Sequence, residues 1–161
     1  MAVTGIFCEN NSISYVVLNG TPKSPNILHS ETYPLKKIEK GDLLDTAISR
    51  IENLIASYRI KKATLLVVDK TYGKGHNTLT HPVKHQIEGC IIYKFFNKGI
   101  QCVEFNRNKK LVSVLEEKLQ EHIDYKPKDI GKFIKIRFDK KSIKVKNKDQ
   151  REAFAVALTQ L

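Results

Sequence analysis

The chain has 161 residues and is 41% hydrophobic, which suits one domain with a packed core and excludes a disordered chain. Its 28 Lys and Arg against 17 Asp and Glu give a formal charge of +11; that favours polyanions, namely nucleic acid or an anionic membrane surface, over neutral partners. The plain alternative is that the lysines only keep a small protein soluble.

Ala2–Cys8 and Ser12–Asn19 are rich in Val, Ile, Tyr and Phe and flank the polar pair Asn10-Asn11, the pattern of a hairpin. Gly20–Ser30 contains two prolines and reads as a loop. Glu31–Leu35 is a candidate third strand, and Lys36–Gly41 a charged connection. Asp42 opens a helix in which Leu44, Ala47, Ile48, Ile51, Leu54, Ile55 and Tyr58 form one apolar stripe. Ala63–Asp69, "ATLLVVD", is an apolar run of strand length and suits a buried parallel strand. A glycine-bearing loop, "KTYGKGHN", leads to Thr80 and Pro82, which start a second helix reaching about Lys98 before Gly99 stops it.

"IQCVEF" is a short strand, and Asn108–His122 a third helix with Leu111, Val114, Leu115 and Leu119 on one side. "FIKIRF" and "SIKVK" alternate like strands and predict a small β extension or an arm. Asp149–Leu161 closes the chain as a helix, with Ala153, Phe154, Val156, Ala157 and Leu158 apolar. The order predicts a mixed sheet with helices on its faces.

Cys8, Cys90 and Cys102 lie far apart among apolar residues without a C-x-x-C pair, so they read as reduced core thiols in a cytoplasmic protein. The start lacks a basic region followed by an apolar run, so no signal peptide is expected. No apolar stretch approaches the ~20 residues of a membrane span, so no membrane partner is expected.

The positive charge is concentrated. Lys126–Arg151 holds 11 Lys and Arg against 3 Asp and Glu, leaving about +3 for the rest of the chain. The lysine-rich arm between Tyr125 and Lys148, with Lys140, Lys141, Lys144, Lys146 and Lys148, is the best candidate for phosphate contact. Arg107, Lys109 and Lys110 near the third helix, and Lys74 in the glycine loop, are further candidates. Tyr72 and Phe133 are aromatic enough to stack bases, although core packing suits Phe133 better. His76, His81 and His85 follow one another closely; His81 and His85 have zinc-compatible helical spacing but no clear third ligand, and exposed histidines at a helix start are the simpler reading. "YGKGHN" lacks the full phosphate-loop pattern, so no nucleotide hydrolysis is inferred.

Taken in order, several segments resemble the RNase H-like fold, and within it the RuvC-type Holliday junction resolvases. "VTGIFCENNSISYVVL" resembles the family's Gly-Ile-Asp strand and its hairpin partner. "LLVVDKTYGKG" resembles an apolar strand that ends in a catalytic acid and a glycine loop. "QIEGCIIYKFFNKGIQCVEFNRNKKLV" is similar to the family's Gln-x-x-Gly helix, next strand and Lys-bearing helix, and "DQREAFAVALTQL" to its closing Asp-x-x-Asp-Ala helix. The resemblance covers roughly residues 1–120 and 147–161, and is carried by the collinear set rather than by one diagnostic motif. It implies a single α/β domain over 1–161, a mixed sheet flanked by helices, with a basic insertion at about 123–148.

The resemblance places catalytic acids at Asp69, Asp149 and Glu152, all three also metal ligands. Glu152 stands for the usual Asp, and Asp69 for the usual Glu. Such nucleases use two divalent ions, Mg²⁺ or Mn²⁺, about 3.5–4 Å apart, to activate water and stabilise the leaving oxygen. Asp149 and Glu152 are three apart and can share one side of a helix start, where negative charge is favoured. The same spacing suits an ordinary helix cap and capping box, with Asp149 as the cap.

The departure is Phe7, which stands where the family's pattern requires a first-strand Asp. Phe binds no cation and fills part of a metal pocket. Glu9 lies on the same strand face two residues on, but about 6–7 Å away. The expectation is therefore a RuvC-like protein binding nucleic acid, DNA in particular, with nuclease activity reduced or absent. One alternative is an active metal-dependent, structure-specific endonuclease using Glu9, Asp69, Asp149 and Glu152. Another is a non-catalytic protein-interaction domain. The resemblance also implies a homodimer, since resolvases cut two strands symmetrically.

Overall fold

The computed structural model describes residues 1–9, 11–35, 40–67, 82–106, 109–138 and 145–161. Its elements run β1 (Ala2–Glu9), β2 (Ser12–Thr21), β3 (Ser24–Pro34), α1 (Lys40–Tyr58), β4 (Ile60–Val67), α2 (Pro82–Asn97), β5 (Gln101–Asn106), α3 (Lys109–Leu119), α4 (Ile130–Phe138) and α5 (Lys148–Leu158). The strands form one mixed sheet in the order β3-β2-β1-β4-β5. β1, β2 and β3 pair antiparallel, while β1, β4 and β5 run parallel.

Strand alternation divides the core in two. Val3 and Phe7 of β1 join one cluster with α3, α4 and α5. Ile6 and Cys8 join the other with α1 and α2. α5 lies against the first face of the sheet, and Ala153 to Leu158 are all buried. Such a helix is covered on every side, which explains its alanine-rich, nearly uncharged run.

Two expectations are corrected. Gly20–Ser30 is not a loop: β3 begins at Ser24 and pairs along all of β2, down to Thr21↔Ser24. β3 is an edge strand, where Pro25 and its missing N–H are tolerated. The "FIKIRF" segment is not a strand but the body of α4. Ile130, Phe133, Ile134 and Phe138 are its buried positions, a three-to-four-residue step that includes Ile130. Phe133 is therefore a core residue, tilted against Tyr125. Among the described residues, no helix is long and apolar enough to cross a membrane.

Candidate functional site at the carboxyl rim of the sheet

The start of α5 is fixed over the carboxyl end of β1 by two devices. The first is close packing at Gly5: a Cβ there would stand 1.9 Å from the Ala153 carbonyl oxygen. Only a glycine lets the two backbones approach so closely. The second is a row across the sheet in which Phe7 pairs with Ser14, and Ser14 with Thr32. Ser14 Oγ and Thr32 Oγ1 are 2.8 Å apart. Thr32 Oγ1 also accepts from Asn147 Nδ2 at 2.9 Å and from Gln150 Nε2 at 3.2 Å.

Asn147 caps α5, its Oδ1 accepting from the Gln150 N–H at 2.8 Å. This corrects the cap expectation for Asp149, which lies in the first turn instead. Relieved of capping, Asp149 is half-buried beside Gln150. Gln150 and Ala153 face the sheet, so Asp149 is turned about 100° from Gln150, towards one flank of the helix. Glu152, three residues on, shares that flank and is 1% exposed. Gly131 of α4 lies beside it: a Cβ there would meet Glu152 Cγ at 3.8 Å.

At the centre of the rim is Phe7, fully buried among apolar residues of the α5 side. Glu9 ends β1 opposite Ser12 and is half-buried. The sequence did not single out Lys84, whose Nζ stands 4.9 Å from the centroid of the Phe7 ring. Lys84 belongs to α2, on the other face of the sheet, and reaches over the end of the strand to this ring. It is 5% exposed. Its carboxylate neighbour is Glu88, with Oε1 at 3.8 Å. Glu88 is itself buried, and its Oε2 lies 3.0 Å from His85 Nδ1.

Burial pushes the Glu88 carboxyl above its ordinary value, and Glu104 adds to this; His85 and Lys84 act the other way. The Cys8 thiol is raised, by burial first and then by Glu88, while Lys84 opposes and Glu9 adds. Cys102 is likewise pushed up to about 12 by burial and then Glu104. Thiols raised in this way are poor nucleophiles. Lys84 links Glu88 to the Phe7 ring near the end of β1.

Of the remaining sequence candidates, Lys109, Lys110, Lys146 and Lys148 are exposed, at or near the starts of α3 and α5. Asp69, Tyr72, Lys74, His76, His81, Arg107, Lys140, Lys141 and Lys144 lie outside the described residues. His85 is engaged with Glu88. On α4, Lys132 pairs with Asp129 at 3.0 Å and Arg137 with Glu121 at 2.9 Å; Lys135 is exposed.

The described residues do not fit a two-ion centre. Phe7 supplies no oxygen at the middle of the rim, and an ammonium lies over its ring. Among the described residues, no group of three or more His, Cys, Asp or Glu could hold a metal ion.

No protein-family model matches the chain, and no curated protein matches it in sequence. Solved structures do match it in shape. RuvC of Thermus thermophilus superposes with a TM-score of 0.74 at 15% identity, over 99% of this chain and 92% of that one. The yeast mitochondrial Holliday junction resolvase gives 0.59 at 12% identity, over 98% and 76%. The fowlpox virus resolvase, solved with Holliday junction DNA, gives 0.53 at 13% identity, over 99% and 96%. The five-stranded order, the parallel β1-β4-β5 core and α5 laid across it are thus those of a known architecture: the chain has the RNase H-like fold in the form seen in RuvC-type Holliday junction resolvases.

Proposed function

We propose that this chain is a RuvC-like nucleic-acid-binding protein, with DNA as its ligand and nuclease activity reduced or absent. The observation that carries the reading is Phe7. A resolvase-like rim needs an oxygen ligand at the middle of the first strand; this chain has a buried aromatic ring there, beneath a lysine. Support for nucleic acid comes from the charge of +11 and from exposed Lys109, Lys146 and Lys148 near helix starts that flank the rim.

Support for a homodimer comes from α2. Gly89, Tyr93 and Phe96 follow at four- and three-residue steps and therefore share one face. The two aromatics are 63% and 76% exposed. A Cβ at Gly89 would meet nothing within 4 Å, so that glycine answers no packing need within the described chain. A second copy crossing at Gly89 would cover both rings and give the two-fold arrangement suited to a branched substrate.

Binding to four-way, duplex and single-stranded DNA across a salt series tests the reading. Affinity that falls steeply with salt, with the junction preferred, supports it; salt-insensitive or undetectable binding removes it. Cleavage of a mobile junction in Mg²⁺ or Mn²⁺, compared with Asp69→Asn, tests the level of activity. Robust cleavage that the variant abolishes would instead establish an active nuclease, with Glu9 as the acid nearest Phe7 along the strand.

A further inference from the structure

We propose that the Lys84 ammonium is a built-in cation: it holds the place at this rim that a divalent ion would need, faces the Glu88 carboxylate there, and lets the chain associate with nucleic acid without metal. The inference rests on the reading above that this rim derives its shape from a two-ion nuclease fold.

Three observations carry it. First, Lys84 is placed where an ammonium is costly. It lies in the first turn of α2, at the positive end of the helix dipole, and is 5% exposed. A counter-charge or a π face offsets the cost of burying an ammonium. Second, it has both. The Phe7 ring lies within cation–π reach at 4.9 Å, and Glu88 Oε1 faces it at 3.8 Å. Among the described residues neither contact is a close hydrogen bond, and both act through charge and polarisability. Third, the ring and the ammonium come from separate elements, β1 and α2, and meet where the first strand would otherwise offer an oxygen to a cation. Here the described cation is covalently attached.

Phe7 and Lys84 then form one device. The ring removes a ligand and offers a face, and the ammonium replaces the charge. A divalent ion entering beside Lys84 would meet a fixed positive charge at short range in a site shielded from water, where repulsion is strong.

The test is a Mn²⁺ titration of the full chain without nucleic acid, with free Mn²⁺ read by electron paramagnetic resonance. Lys84→Gln, Phe7→Asp and the double variant are titrated beside wild type. The wild-type chain is expected to leave Mn²⁺ in solution. The double variant is expected to bind at least about tenfold more tightly than Phe7→Asp alone, because the repelling charge is gone. Micromolar Mn²⁺ binding by wild type, or equal affinity in the two Phe7→Asp backgrounds, overturns the proposal. Should the Phe7 variants not fold, wild type and Lys84→Gln decide. Exclusion of Mn²⁺ by the first and uptake by the second supports the proposal, and the same behaviour in both overturns it. Should Lys84→Gln not fold either, wild type alone decides, exclusion supporting and uptake overturning. Junction binding by wild type is measured separately in EDTA and in Mn²⁺. Affinity equal in the two supports metal-independent association, and loss in EDTA overturns it. Absence of DNA binding in both would defeat the nucleic-acid reading while the Mn²⁺ result still judged Lys84.

Discussion

Gly5 of β1 and Ala153 of α5 meet backbone to backbone: a Cβ on Gly5 would stand 1.9 Å from the Ala153 carbonyl oxygen and 2.6 Å from the Ala157 nitrogen. No flexible side-chain end is available to move aside. Gly5→Ala must therefore lift α5 from the sheet, at a cost of about 1–3 kcal/mol or more. The neighbouring comparison is Gly131→Ala, where the added carbon meets Arg151 Cβ and Glu152 Cγ at an ordinary 3.8 Å. Within a helix that change gains about 0.5–1 kcal/mol. Urea denaturation of the two variants should show midpoints shifted in opposite directions. Equal shifts would mean that α5 does not rest on β1 as described.

The Gly5 contact was partly legible in the sequence and partly not. A Gly-Ile pair within the first strand resembles the family's pattern, but only the fold shows which backbone approaches it. The hairpin, the buried parallel strand and four of the helices follow from local periodicity, which is why α1 and α5 fall within two residues of their expected starts. α4 does not, because "FIKIRF" satisfies a two-residue and a four-residue period equally until Ile130 is included. Lys84 was missed for a different reason. It lies on the buried stripe of α2 with Ile87, Glu88, Ile91 and Phe95, where an apolar residue is the norm. Two charged residues four apart inside such a stripe were the available signal.

Glu31 gives a pH-dependent test of the sheet's other face. Tyr15 donates to its Oε2 at 2.5 Å, Arg50 pairs with the same oxygen, and His29 approaches at 3.3 Å. Burial raises the carboxyl, but the hydrogen bonds from Tyr15, Arg50 and His29 outweigh it, so Glu31 lies below its ordinary value. A carboxyl depressed on folding stabilises fully above its unfolded value and loses that contribution as pH falls through its folded one. Glu31→Gln should flatten the acid limb of a plot of melting temperature against pH. Its cost at neutral pH is on the order of 1 kcal/mol or less, because both partners are 32% exposed and solvent screens the pair. A variant with the wild-type acid limb would show that Glu31 is not held by these partners.

Phe7 itself should be structurally expensive to remove. Phe7→Ala deletes a ring that is 1% exposed and leaves Lys84 without its π face, so a loss of about 3–5 kcal/mol is expected. Phe7→Leu keeps most of the volume but not the quadrupole, and isolates the cation–π part at about 0.5–2 kcal/mol. In a Lys84→Met background the added cost of the missing quadrupole should vanish. A double-mutant cycle in urea reads the coupling, and additive effects would mean that ring and ammonium do not interact.

The lysines near the rim are separable by salt. Lys109, Lys146 and Lys148 are exposed, and Lys146 and Lys148 lie beside the Asn147 cap that fixes α5. If each meets a phosphate, replacing it by Ala should weaken junction and duplex binding alike and lower the slope of log K against log salt by about 1. Lys135 on α4 provides a distal control, exposed but on another element. A slope unchanged in all three variants would move the phosphate path away from the starts of α3 and α5.

The α2 face makes the strongest prediction about assembly, because Gly89 reverses sign with oligomeric state. In an isolated chain Gly89→Ala fills open space and relieves a mid-helix glycine, a gain of about 0.5–1 kcal/mol. If a second copy crosses α2 there, the added carbon enters the crossing and weakens the dimer. Gly89→Leu should do so more strongly, and Tyr93→Ala with Phe96→Ala should remove the apolar area that drives association. Sedimentation equilibrium should show a dimer for wild type and a monomer for Gly89→Leu, with the thermal stability of the monomer retained. A wild-type chain that sediments as a monomer at all concentrations would leave Tyr93 and Phe96 as surface aromatics, and Gly89→Ala would then only stabilise the helix.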